Sequence, residues 1–260
     1  MTAAVAIAAP GLAALAGVRH GFLTRQGGVS AGAFASLNVG YAGGDERANV
    51  IENRARARAA IAPAATALLT ARQIHSPRAV VVTEAWAEGH GPEADALVSA
   101  NRGLARGVTS ADCAPILIAD AAAGVIAAAH AGWRGALAGV IGATVAAMRE
   151  LGAAPGRMAA AIGPCIAFAS YEVGPEFAAP FLAKDAGAAR FFGPGARSGH
   201  RRFDLPGYVR AELAAAGVGM IEDLALDTLT DPDRFFSYRR ATLAGERRYG
   251  LGVSVIALEG

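Results

Sequence analysis

"APILIADAAAGVIAAAH", Ala114 to His130, decides how the rest of the chain is read. Two apolar runs flank a short small-residue segment ending in Gly124, which reads as two buried strands joined by a small turn. Further short strands lie on either side. "AVVVTEA", "ADALVSA" and "GLARGVTSAD" come before it, "MAAAIGPCI" comes after it and ends in a Gly-Pro-Cys loop, and "GVSVIAL" closes the chain. Strands that come in adjacent pairs, rather than in strict alternation with helices, predict an α+β arrangement.

Helices are expected in four places. "DERANVIENRARARAAIA" has Asp45 as its N-cap. "GALAGVIGATVAAMRELGA" starts near Gly135, and "YEVGPEFAAPFLAK" is a third. "FDLPGYVRAELAAAG" has Asp204 as N-cap, Pro206 in the first turn and Gly217 at its C-terminal end. "HGFLTRQGGVSAGAFASLNVG" reads as a strand, a tight Gly-Gly turn and a loop. With no repeat, charge block or long linker, residues 1–260 read as one domain.

Composition excludes several classes. A hydrophobic fraction of 53% against 18% charged residues supports a sizeable core and argues against disorder. The net charge is +2, and no basic stripe marks a nucleic-acid partner. Lys184 is the one lysine among 24 basic residues. Two cysteines, Cys113 and Cys165, are too few for a secreted disulfide scaffold and point to reduced thiols in a cytoplasmic setting. The N-terminal stretch is apolar up to Val18 but lacks a basic start, is interrupted by Pro10-Gly11 and is too short to cross a membrane. A first strand and turn is expected there, rather than a signal peptide.

Chemistry concentrates at strand ends. His75 lies in "RQIHSPR", Cys113 in "TSADCAPILI", His130 in "AAAHAGWRG" and Cys165 in "AIGPCI". His75 and Cys113 are 38 positions apart (113 − 75), and Cys113 and His130 are 17 apart (130 − 113), so no local zinc finger is formed. Converging from separate strand ends, His75, Cys113 and His130 would make a three-ligand metal site with one position open, the mark of a catalytic zinc. The same residues also suit a Cys113 nucleophile with His130 as base, oriented by Asp112 or a backbone group. In "HAGWRG", Gly132 and Gly135 permit a sharp turn and close approach, and Arg134 beside a helix start favours an anion such as phosphate. Arg25, Arg54, Arg239 and Arg240 are further arginines to weigh, most arginines here being solvated.

The ordered motifs "HGFLTRQGGVSAGAFASLNVG", "NRARA", "RQIHS", "ADALVS", "TSADCAPILIAD", "AAAHAGWRG", "AIGPCI…YEVG", "FDL" and "FFSYRR" resemble the YfiH-type laccase-domain proteins, described as multifunctional purine nucleoside phosphorylases. The resemblance implies a single-domain four-layer α/β/β/α sandwich with mixed sheets. It implies one zinc on His75, Cys113 and His130, which are also the catalytic set. It implies phosphorolysis of adenosine, inosine, guanosine and S-methyl-5'-thioadenosine, and deamination of adenosine, with purine nucleosides and phosphate as the small-molecule partners. Arg134, Arg25, Asn38 and Arg239, all within matching stretches, are the candidate substrate-binding residues. The fold is also similar to that of Cys-dependent deamidases, and some members are linked to peptidoglycan precursors, so a Cys-His amide hydrolase is the alternative activity. The chain departs from the pattern in "LDTLTDPDRFFSYRR" and at Leu251, where the family often carries Arg; neither change touches the three ligands. Five histidines are too few for a multicopper oxidase, although a single copper suits these ligand types and makes a single-site copper polyphenol oxidase a further alternative. A non-enzymatic binding module ranks below these readings.

Overall fold

The 114–130 segment forms the antiparallel strands Ala114–Asp120 and Val125–Ala131, seen in a computed structural model that describes residues 3–259. Met1, Thr2 and Gly260, the outer ends of the stretch read as one domain, lie outside the described residues. Every residue of the two strands is buried, so alternation along them sorts side chains between two cores rather than between core and solvent. Ile116, Ile118, Val125 and Ala127 point one way, onto Val140, Val145 and Met148 of helix Val140–Glu150 and Leu213 of helix Leu205–Ala215. Leu117, Ala119, Ile126 and Ala128 point the other way, onto Phe22, Val108, Ile256 and Leu258 of a second sheet. The outer face of that second sheet puts Leu68, Val253 and Val255 against Ala57 and Ile61 of helix Arg47–Ile61. The layers therefore run helix, sheet, sheet, helix, the architecture the resemblance implied. Each large aliphatic side chain so buried contributes about 1.5–3 kcal/mol.

Both large sheets are mixed. The six-stranded one runs Met220–Asp223, Ala159–Ile162, Ala114–Asp120, Val125–Ala131, Ala96–Ser99, Ala79–Val81, with parallel pairs at its two edges and antiparallel pairs in its middle. The five-stranded one runs Ala6–Ile7, Val18–Leu23, Gly252–Leu258, Leu104–Ser110, Ala67–Thr70, parallel in its last pair alone. The apolar N-terminal stretch thus supplies an edge strand, a turn of helix at Pro10–Ala13 and a second strand. No helix among the described residues is long and apolar enough to cross a membrane.

Three expectations need correction. Asp45 does not cap the first long helix. Glu46 is the N-cap, and the Asp45 carboxylate accepts from Ser30 Oγ and Asn38 Nδ2 instead. "YEVGPEFAAPFLAK" is not one helix: Glu172–Val173 pairs with Arg201–Phe203, a 3-10 turn follows at Pro175–Ala178, and the helix is confined to Ala179–Lys184. Pro175 and Pro180 lack the amide protons that a continuous helix needs. The stretch after His130 is two helices, Trp133–Ala138 and Val140–Glu150, and the first begins before Gly135. The break falls at Gly139, whose φ of 99° is left-handed. A Cβ on Gly139 would meet nothing within 4 Å, so the cost of a side chain there is conformational alone. Gly139→Ala is expected to destabilise by about 1–2 kcal/mol, read as a lower thermal midpoint with unchanged metal content.

Candidate functional site

The hairpin register builds half of the site. Ala114 faces Ala131 and Pro115 faces His130, so Cys113 and His130 come together at the same end of neighbouring strands. By alternation their side chains share the face turned toward the second sheet. His75 arrives from the loop after Ala67–Thr70, with its ring centroid 5.0 Å from that of His130 and its Nε2 3.8 Å from Cys113 Sγ. The three donor atoms all lie within 4.8 Å of one another. Tetrahedral zinc with ordinary Zn–N and Zn–S bonds sets its ligand atoms about 3.3–3.6 Å apart, so a small contraction closes the triangle around an ion. Among the described residues this is the one group of three such donors, and His20, His90 and His200 are not part of it.

Asp95, which the sequence reading missed, organises the site. It is fully buried, and its Oδ1 accepts from His130 Nδ1 at 2.9 Å and His75 N at 3.0 Å. Its Oδ2 accepts from Ser76 N, Ser76 Oγ and Ile74 N. One carboxylate therefore fixes the His130 ring with Nε2 turned to the site, and holds the loop that carries His75. That loop needs holding, because His75 itself has a left-handed φ of 59°. Burial alone would raise the Asp95 carboxyl, but the His130 and Ser76 donors override it and bring it down to about 2. Burial would likewise push the Cys113 thiol up, yet the charge and hydrogen bonding of His130 bring it down to about 6. His130, which burial would lower, is lifted to about 9 by the Cys113 thiolate and Asp95. The thiolate is the form that binds metal or attacks an electrophile. The signal for Asp95 in the sequence was an acid directly before the apolar run "ALVS", where a buried strand begins.

Asp112 does not orient the imidazole. Its Oδ1 accepts from Thr228 Oγ1 at 2.6 Å and its Oδ2 from Arg239 N at 2.6 Å. These bonds hold it at a left-handed φ of 88°, next to Cys113. The glycines of "HAGWRG" also act differently from expectation. Gly132 has a φ of −70°, and Gly135 lies inside the short helix. What both permit is the approach of the His75 loop: a Cβ on Gly135 would sit 3.3 Å from Ser76 O, and one on Gly132 only 2.6 Å from His75 Cδ2.

Two cavities meet at the donors. One, of about 700 Å³, is walled by Tyr41, Tyr238 and Tyr249 and reaches His75, Cys113 and His130. The other, of about 440 Å³, is lined by Trp133, Tyr171, Phe177 and Arg239 and reaches His75 and Cys113. Arg134 borders both, exposed, with its guanidinium 4.5 Å from the Trp133 ring centre. It is the second residue of its helix rather than the residue before it, and that helix has six residues. Arg239 lies in the smaller cavity, hydrogen-bonded to Glu172 O and set over the Tyr171 ring.

The other two candidate substrate contacts line neither cavity at the donors, though Asn38 borders a third cavity beside the larger one. Arg25 donates to Ala35 O and Pro232 O, stacks on Phe236 and lines neither cavity at the donors. Asn38 is buried, and its amide is taken up by Asp45, Gly40 and Leu251. Both brace loops: the Asn38 amide has its oxygen and nitrogen both bound within the protein, and the Arg25 guanidinium is tied to two backbone carbonyls and the Phe236 ring. Arg54 is not solvated either: it is buried, paired with Glu88 at 2.9 Å, and bonded to Leu68 O and Thr70 Oγ1 at the back of the larger cavity. The tyrosine wall gave no sequence signal, because Tyr41 and Tyr249 come from loops far apart in the chain and Tyr238 from the start of helix Tyr238–Leu243.

A family model described as multi-copper polyphenol oxidoreductase laccase matches residues 19–259. The chain is 45% identical over 234 residues to a protein of Deinococcus radiodurans named purine nucleoside phosphorylase, covering 89% of this chain and 86% of the relative. The crystal structure of Neisseria meningitidis protein NMB0706 matches with a TM-score of 0.86 at 37% identity, over 100% of both chains. That of the Bacillus licheniformis hypothetical protein YfiH matches with a TM-score of 0.83 at 28% identity, over 93% of each.

Proposed function

The chain belongs to the family described as multi-copper polyphenol oxidoreductase laccase, and from that premise we propose that it is a zinc-dependent purine nucleoside phosphorylase with adenosine deaminase activity, a single catalytic domain working in the cytoplasm. The observation that carries the reading is the His75–Cys113–His130 triangle opening onto a cavity of about 700 Å³ with aromatic walls. Relatives named purine nucleoside phosphorylase at 45% and 41% identity supply the reaction class. The "multi-copper" description finds no support in the donors, since one group of three among the described residues cannot hold several coppers. A single copper suits the same ligands, and metal analysis of the purified protein decides between it and zinc.

In this reading His75, Cys113 and His130 hold the metal, with Asp95 keeping the His130 proton on Nδ1. When bound, the metal would supply Lewis acidity toward water for deamination, in which the water oxygen replaces the amino group at purine C6 and ammonia leaves. In phosphorolysis a phosphate oxygen bonds to C1' of the ribose as the bond to N9 breaks, and the purine leaves with the electron pair. Tyr41, Tyr238 and Tyr249 offer ring faces for the base, and their bulk displaces water from around it. Arg134, at the junction of the cavities, offsets negative charge on phosphate or on the departing purine. Substrates are adenosine, inosine, guanosine and S-methyl-5'-thioadenosine. The test is phosphate-dependent release of hypoxanthine from inosine. Release is expected to stop with a chelator and return with zinc; no release at any metal loading would overturn the assignment.

A second reading has one specific observation behind it. Asp95, His130 and Cys113 form an orienter–base–nucleophile series, the arrangement of a Cys-dependent amide hydrolase acting on peptides or cell-wall precursors. That activity would persist in metal-free protein and vanish on thiol alkylation.

A further inference from the structure

A third cavity, of about 290 Å³, adjoins the larger one through Gly40, Ala42, Tyr249 and Leu251, which line both. Its remaining walls are Asn38, Gly43, Arg247 and Arg248. The loop side offers nothing larger than a methyl group at Gly40, Ala42 and Gly43, and the Asn38 amide is fully engaged. An entering ligand therefore meets two adjacent guanidinium groups. Both arginines are exposed, and among the described residues neither takes part in an ion pair or side-chain hydrogen bond. The Asp45 carboxylate makes its contacts with Ser30, Asn38 and the Glu46 amide, and not with either arginine. Two free forks at the end of a passage from the donors match the oxygens of a phosphoryl group.

We propose that Arg247 and Arg248 form a phosphoryl-anion subsite of the active site, holding a phosphate group that reacts with the nucleoside or is carried at its 5' end. The proposal rests on the nucleoside phosphorylase reading and names the anionic part of its substrate. Free inorganic phosphate and the 5'-phosphate of a purine nucleotide present the same chemistry, and titration separates them. Inorganic phosphate and inosine 5'-monophosphate are each titrated by calorimetry into the metal-loaded protein and into Arg247→Ala/Arg248→Ala. Binding is expected to weaken at least about tenfold in the variant, the scale of losing charge-assisted bonds. Weakening for inorganic phosphate identifies the co-substrate as occupant; weakening for the nucleotide beyond that for phosphate identifies the 5' group. The Arg247→Lys/Arg248→Lys variant, which keeps charge but loses the forks, is expected to fall between. Because both side chains are exposed and unpaired, the thermal midpoint should stay at the parent value. Parent-like affinity of the alanine variant for both probes overturns the subsite, as does failure of the parent to bind either at millimolar concentration. Inosine cleavage by the parent is scored separately. Its absence beside arginine-dependent phosphate binding overturns the phosphorylase reading and leaves the subsite standing.

Discussion

Asp95→Asn is expected to lower metal affinity about 10–100-fold, the usual effect of losing the partner that orients a ligand, and to cost the fold about 2–4 kcal/mol. The substitution keeps the shape of the side chain and turns one of its two acceptors into a donor. Every group now facing the carboxylate is itself a donor: His130 Nδ1, the amides of Ile74, His75 and Ser76, and Ser76 Oγ. Whichever way the amide turns, a buried donor then meets a donor. If its nitrogen faces His130, the ring loses the bond that keeps Nε2 toward the site. If it faces Ser76, the His75 loop loses its anchor while His75 holds a left-handed backbone. Ser76→Ala is the graded comparison, since it removes one of the Oδ2 donors without reversing a bond. Competition against a chelator reads the affinity, and a thermal melt of metal-free protein reads the stability term on its own. Parent-like metal affinity in Asp95→Asn would show that the carboxylate supports the fold and not the donors.

How much of this was legible in the sequence depends on how far apart the partners lie. The central hairpin was legible because its apolar runs and turn are local, and so were the helix capped by Asp204 and the final strand. Half of the site followed from that hairpin. Pairing Ala114 with Ala131 and Pro115 with His130 puts Cys113 and His130 at one end, so their separation of 17 positions (130 − 113) was a statement of proximity. His75 was identifiable as a donor but not as a neighbour, since its loop is placed by long-range parallel pairing of Ala67–Thr70 with Leu104–Ser110. The surroundings of Arg25 and Asn38 were hidden for a different reason. A polar side chain in a Gly-rich loop looks the same in sequence whether it meets a ligand or backbone carbonyls, and here tertiary packing supplies the carbonyls. In the two broken helices local signals override apolar periodicity, Gly139 in one and Gly174-Pro175 in the other.

Gly132→Ala is expected to abolish tight metal binding while leaving the fold nearly as stable as before. Gly132 caps the short helix with φ −70° and ψ 161°, a conformation alanine adopts without strain. An added Cβ would nevertheless lie 2.6 Å from His75 Cδ2, 2.9 Å from Cys113 Sγ and 3.1 Å from His75 Nε2. Carbon atoms in contact prefer about 3.5–4.0 Å, so the His75 ring and the thiolate must each retreat by several tenths of an ångström. Metal–ligand bonds tolerate only about 0.2 Å, so two of the three ligands would leave bonding range together. The expected loss in affinity is at least about 100-fold, beyond that of disturbing one orienting partner. Gly139→Ala, two turns of chain away, makes the reciprocal control: it strains the backbone where a Cβ touches nothing, and so lowers stability without touching the donors. Metal content and thermal midpoint measured on both variants should therefore move in opposite combinations. A Gly132→Ala protein that retains its metal at parent affinity would mean that the ion is not held between His75 and Cys113. Residue 132 is glycine, on this argument, because the imidazole and thiolate of the donor triangle close over its α-carbon and leave no room for a methyl group.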